Sequence, residues 1–187
     1  MANADKNFSP HAIKPLSQAE KASSAHLFHV KPIRVLFVCL GNICRSPLAE
    51  IIVHGQAEKK GLASQFTFAS AGTGDWHVGR PADVRSEQTA SQHGLDLSQH
   101  RAQQITANKV NDWDWFVAMD DDNRINLLAM GVPENRLLLM RQFETASPTA
   151  LDVPDPYYGG TDGFEDAYQM LCGNADYILE YLVKQSA

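Results

Sequence analysis

Apolar residues fall in short blocks, separated by longer stretches with a periodicity of their own. The clearest block, Ile33 to Val38, is β-branched and aromatic with polar or turn-forming residues on either side. It predicts a strand buried on both faces, as in a parallel sheet. Helical spacing follows from about Pro47 to Lys60 and stops at Gly61, Phe66 to Ser70 alternates as a second short strand, and Ala71 to Gly79 reads as loop. A helix from about Ala82 to His93 ends at Gly94, a residue suited to the C′ position. Trp113 to Met119 predicts a third strand, Asp121 to Met130 a helix stopped by Gly131, and Arg136 to Met140 a fourth strand. Gln142 to Gly160, with three prolines, reads as a long loop of the kind that is usually functional inside a compact domain. In the last segment, Asp162 to Lys184, the residues Phe164, Tyr168, Leu171, Ala175, Ile178 and Leu182 recur at helical spacing.

Strands alternating with helices predict an α/β fold: a doubly wound, four-stranded parallel sheet with helices on both faces. Residues 31–187 read as a single domain. Residues 1–30 are rich in Asn, Ala, Ser, Lys and His without clear periodicity, and they lack the apolar core of a signal peptide. They read as a flexible N-terminal extension, with a short helix over Ser17 to Leu27 as the alternative.

The junction between the first strand and first helix carries the chemistry. It reads Cys39-Leu40-Gly41-Asn42-Ile43-Cys44-Arg45, followed by Ser46, Pro47 and Glu50. Ser46 suits an N-cap, Pro47 needs no amide hydrogen bond in a first turn, and Glu50 suits the positive end of a helix dipole. A strand, a tight turn and a helix N-terminus make an anion cradle of inward-pointing N–H groups. Five residues between Cys39 and Arg45 suffice to wrap the backbone around a tetrahedral oxyanion. Gly41 can supply a positive φ, and Asn42 tolerates one. Arg45 offers a planar fork for two phosphate oxygens. Helix N-termini and nearby cations favour the thiolate form of a cysteine, and the Ser46 hydroxyl could donate to the sulfur. These residues make Cys39 a nucleophile under a phosphate. A cysteine followed six residues on by arginine is a weak signal by itself; the strand before, the turn within and the Ser-Pro start after it give the weight. The phosphate-loop site follows the first strand, at the carboxyl edge where such sheets bind ligands.

Composition narrows the class. With 187 residues, 44% hydrophobic and 20% charged, the chain can form one α/β domain with a real core. A net charge of −6 argues against nucleic acid or an anionic membrane as partner, and no apolar run approaches the ~18 residues of a membrane span. The three cysteines, Cys39, Cys44 and Cys172, do not make a disulfide framework, which suggests a reducing, cytoplasmic compartment. None of the seven histidines has metal-ligand spacing with cysteine or carboxylate, and the chemistry needs no metal or cofactor.

VLFVCLGNICRSPLAE resembles the signature loop of the low-molecular-weight protein tyrosine phosphatases. The resemblance extends through SAGTGDWHVGRPAD, HRAQQIT, AMDDDN and DVPDPYYG, nearly from Ile33 to the C-terminus. It implies hydrolysis of phosphotyrosine and other aryl phosphates through a phosphocysteine, with Leu40, Gly41, Asn42, Ile43, Cys44 and Ser46 around the phosphate. An acid must protonate the leaving oxygen and a base must then activate water. Asp155, pinned between Pro154 and Pro156, is the candidate for both roles. On its own pattern it reads rather as an Asx-turn residue, and it is the resemblance that implies the acid; Asp152 is the alternative carboxylate. A neighbouring phosphate dianion should favour the protonated acid and place the rate maximum on the mildly acidic side.

Trp76, Tyr157 and Tyr158 read either as aromatic walls of a phosphotyrosine slot or as half-buried loop aromatics; the resemblance implies walls. It also implies that Asn42 and Ser70 hold the loop in shape and that His100 and Asp120 belong to the surrounding polar network. Cys44 reads either as a partner for a protective disulfide with Cys39 or as a small apolar filler. The expected partners are tyrosine-phosphorylated proteins and inorganic phosphate or other oxyanions. Two rival readings are a thiol-dependent arsenate reductase, for which only Cys172 remains outside the loop as a relay, and a non-catalytic phosphate-binding module.

Overall fold

The central strand, β1 (Ile33–Cys39), sorts its side chains by alternation even though nearly all are apolar. Val35, Phe37 and Cys39 face one hydrophobic core and Leu36 and Val38 the other. The computed structural model of the chain describes residues 31–144 and 151–185. The extension expected over 1–30, including the alternative helix over 17–27, lies outside the described residues.

After β1 come α1 (Arg45–Lys59), β2 (Phe66–Gly72), α2 (Val84–Gln92), β3 (Trp115–Ala118), α3 (Asp121–Ala129), β4 (Leu137–Leu139) and α4 (Thr161–Gln185). The sheet order is β2-β1-β3-β4, parallel throughout. Helices α1, α2 and α4 cover one face, packed on one another and on β1 and β2, while α3 covers β3 and β4 on the other. All six residues singled out on the last helix are buried. This is the expected doubly wound α/β fold, and among the described residues no helix is long and apolar enough to cross a membrane.

β2 runs two residues past its expected end, because Ala71 and Gly72 continue the ladder beside Val38 and Cys39. Pairing across the sheet decided that boundary. The predicted third and fourth strands are each trimmed at both ends, to Trp115–Ala118 and Leu137–Leu139. A bidentate Arg34–Asp114 pair, at 2.8 and 3.1 Å, ties the start of β1 to the turn before β3. Chain order runs from β1 to β2 on one side, then crosses to β3 on the other. The end of β1 is therefore the switch point, where the connections diverge and leave a crevice.

Candidate active site

The loop from Leu40 to Cys44 leaves β1 and winds directly into α1. The Cys39 Sγ lies 3.0 Å from the Ser46 Oγ and accepts from the Asn42 amide at 3.2 Å. The sulfur thus sits at the floor of a cleft of about 290 Å³, with Arg45 and Asp155 also lining it. Helix α1 begins at Arg45, two residues earlier than predicted, with Cys44 in the N-cap position and no side-chain cap. Ser46, expected as the cap, is instead the second residue of the helix. Its hydroxyl serves the sulfur and receives the Asn42 side-chain amide at 2.9 Å. Glu50 does not lie in the first turn. Burial pushes its carboxyl above the usual range, and it is hydrogen-bonded to Ser70.

Asn42 organises the loop. Its backbone is left-handed, with φ of 55°, and its side chain donates to Ser46 and Ser70, each at 2.9 Å, while accepting from the Gln103 amide at 2.8 Å. His100 Nε2 donates to the Asn42 carbonyl at 2.8 Å, since a carbonyl can only accept. The positive φ expected of Gly41 belongs to Asn42. The missing side chain of Gly41 serves space instead: a Cβ there would come within 2.9 Å of the His77 ring. A Cβ on Gly72, at the end of β2, would meet the Leu40 carbonyl at 2.8 Å and the Asn42 nitrogen at 3.2 Å.

Arg45 is buried, and its fork is held by carboxylates at both tips. Nη1 donates to Asp120 at 2.6 Å and to the Val153 carbonyl at 3.0 Å, and Nη2 donates to Asp155 at 2.8 Å. Asp155 is at once an Asx-turn residue, accepting from the Tyr157 amide at 3.1 Å, and a lining residue of the cleft. The alternative carboxylate, Asp152, faces away and accepts from the Asp121 amide at 3.0 Å, at the start of α3.

Trp76, Tyr157 and Tyr158 line the mouth with Leu40. Trp76 is 61% exposed, with its ring over Gly74 of the same loop, and Tyr158 is 94% exposed. Ile43 and Cys44 also line the cleft, and both belong to a small buried cluster with Ala102 and Phe164. Burial first, and then the Asp83 carboxylate, push the Cys44 thiol up to about 12. Cys39, Cys44 and Cys172 are all free thiols.

Three contributors escaped the sequence reading. His77 lines the cleft between Trp76 and Tyr157, with ring centroids 6.3 and 6.4 Å away. Gln103 supports both Asn42 and, through its side chain, the Ser70 carbonyl at 2.8 Å. Arg85 reaches the Tyr157 carbonyl at 3.1 Å. Only His77 had a local signal, its place beside Trp76.

A family model described as "Low molecular weight phosphotyrosine protein phosphatase" matches residues 34–187. The chain belongs to this family. A low molecular weight phosphotyrosine protein phosphatase of Schizosaccharomyces pombe is 43% identical over 143 residues, covering 75% of this chain and 91% of that protein. Among solved structures, a protein tyrosine phosphatase from Entamoeba histolytica with Hepes in its active site aligns with a TM-score of 0.76 at 32% identity. It covers 83% of this chain and 99% of that one. Vibrio vulnificus Wzb in complex with benzylphosphonate aligns with a TM-score of 0.69 at 27% identity, over 80% of this chain and 98% of that one. The fold of the family and the Cys39–Arg45 loop after β1 therefore coincide in this phosphatase.

Proposed function

We propose that this phosphatase hydrolyses phosphotyrosine and related aryl phosphates through a phosphocysteine formed on Cys39. The observation that carries the reading is the sulfur itself, at the floor of the cleft with an amide and a hydroxyl on it and Arg45 and Asp155 alongside. In the first step the Cys39 thiolate attacks phosphorus while Asp155 gives its proton to the leaving phenolic oxygen. In the second, Asp155 takes a proton from water as that water attacks the phosphocysteine, and phosphate and thiolate are released. Arg45 and the loop amides hold the equatorial oxygens as charge builds on them, and the Ser46 hydroxyl supports the departing sulfur.

The exposed aromatic rim supports an aryl substrate: a flat phenyl ring can stand in the cleft with its phosphate at the floor. That Wzb was solved in complex with benzylphosphonate, a phosphonate bearing a phenyl ring, supports the same class of substrate. Tyrosine-phosphorylated proteins are then the partners, and inorganic phosphate the product that occupies the loop. Residues 31–187 act as one phosphatase domain. A nucleophilic thiol that must stay reduced supports a reducing, cytoplasmic compartment. Arsenate reduction would need further thiols to relay oxidation, and Cys172 lies on α4 beside Tyr168 rather than lining the cleft.

The test is hydrolysis of p-nitrophenyl phosphate without added metal, by wild type and by Cys39→Ser. Turnover by wild type alone, with competitive inhibition by vanadate, supports the reading. Turnover by Cys39→Ser, or thiol-dependent arsenate reduction with no phosphatase activity, overturns it.

A further inference from the structure

We propose that Arg85, gripped by Asp83, is a positioning residue that sets the acid loop against the phosphate loop; this rests on the reading of Asp155 as general acid. Asp83 sits between the two. Its amide donates to the Ile43 carbonyl of the phosphate loop at 2.8 Å. Its carboxylate caps α2 by accepting from the Arg85 amide at 2.9 Å, and takes the Arg85 guanidinium in a bidentate pair, Nε at 2.9 Å and Nη2 at 2.8 Å. That leaves one nitrogen of the fork, Nη1, which donates to the Tyr157 carbonyl at 3.1 Å. The guanidinium lies 4.4 Å from the centroid of Phe164 and 5.6 Å from that of Tyr157.

Tyr157 is therefore held at both its backbone groups. Its carbonyl receives Arg85, and its amide holds the Asp155 carboxylate at 3.1 Å. Contacts run from Ile43 through Asp83, Arg85 and Tyr157 to Asp155, and return through Arg45 to the phosphate loop. The Arg45–Asp155 link is the one that substrate must break, because the phosphate claims the Arg45 fork. Once it breaks, the Asp83–Arg85 bridge remains to keep the acid over the leaving oxygen. Arg85 holds the Asp83 carboxyl below the usual carboxylate range, so the bridge keeps its charge through mildly acidic pH. A lysine could not replace it, having no planar fork to hold a carboxylate with two nitrogens and a carbonyl with the third.

A positioning role predicts a particular kinetic fault. An acid displaced by a fraction of an ångström matters little when the leaving group is already a stable anion, and much when it is a phenol with pKa about 10. The experiment measures kcat/KM on aryl phosphates graded from acidic nitrophenols to unsubstituted phenol, for wild type, Arg85→Ala, Asp155→Asn and the double variant. Arg85→Ala is expected to lose at least tenfold more on phenyl phosphate than on the most activated ester. The double variant should be no steeper than Asp155→Asn alone, since Arg85 acts through Asp155. An unfolded fraction would scale all substrates equally and leave the slope intact. An Arg85→Ala slope parallel to wild type beside a steep Asp155→Asn slope, or a double variant steeper than Asp155→Asn, overturns the positioning role. A wild-type slope in Asp155→Asn overturns instead the acid assignment beneath it.

Discussion

The Asp155 carboxylate and the Arg45 guanidinium, 2.8 Å apart, are joined before any phosphate arrives. The group proposed as the acid is thus paired with the group proposed to bind the dianion. An incoming phosphate faces a carboxylate of its own sign and has to displace it from Arg45. Asp155→Asn should bind inorganic phosphate more tightly, by about fivefold, the ~1 kcal/mol scale of a partly exposed charge contact. Its turnover of phenyl phosphate should fall about 10²–10⁴-fold. Calorimetry against phosphate beside steady-state kinetics reads both, and weaker phosphate binding in the variant would contradict the competition.

Asn42 carries a left-handed backbone and three side-chain hydrogen bonds. Asn42→Ala adds the cost of that φ to an unpaired Gln103 amide, together about 2–5 kcal/mol, or roughly 4–20 °C in Tm for a domain of this size. Asn42→Gly relieves the backbone and should regain about 1 kcal/mol. Both variants should still lose kcat/KM, because Ser46 loses the amide that orients its hydroxyl. Thermal melts and kinetics on the pair separate strain from catalysis.

His100 is held neutral. Burial, the largest influence, lowers its affinity for a proton below the ordinary 6.5, outweighing its bond to the Asn42 carbonyl. The unfolded chain therefore binds the proton more readily. The stability this histidine confers is present above pH about 6.5 and declines as the pH falls toward its folded value. His100→Gln keeps a donor without the titration, so the Tm advantage of wild type over it should narrow below that pH. An advantage that grew on acidification would contradict the assignment.

Cys44, pushed up to about 12 mainly by burial, stays a thiol throughout the neutral range, and the thiolate is the species that alkylates. Iodoacetamide at pH 7 should leave Cys44 unlabelled in the native protein and label it after denaturation. Peptide mass mapping checks this, and rapid native labelling would refute it.

Much of this site could be read from the chain because its core is local. A buried strand, a cradle and a helix start lie within 18 consecutive residues, from Ile33 to Glu50, and the structure brings Cys39, Arg45 and Asp155 to one cleft. The departures all arise from contacts distant in sequence. Ser46 gave up only the cap and kept its other expected place beside the sulfur, where Asn42, itself held by Ser70 and Gln103, donates to its hydroxyl. The positive φ fell on Asn42, which the sequence also allowed, and what Gly41 provides is room for the ring of His77, 36 positions on. Arg85 follows its helix cap by two residues, a spacing that predicts a surface cation. Only the fold places Tyr157 against it.

The missing side chain of Gly72 has a consequence for how this enzyme can vary. Even a methyl group there would press on the Leu40 carbonyl at 2.8 Å, with the sheet behind it unable to yield. The bowl is thus shaped from below by an empty position that no assay of reactive groups would reveal. A saturation library selected for turnover should tolerate many residues along the rim and return glycine alone at 72.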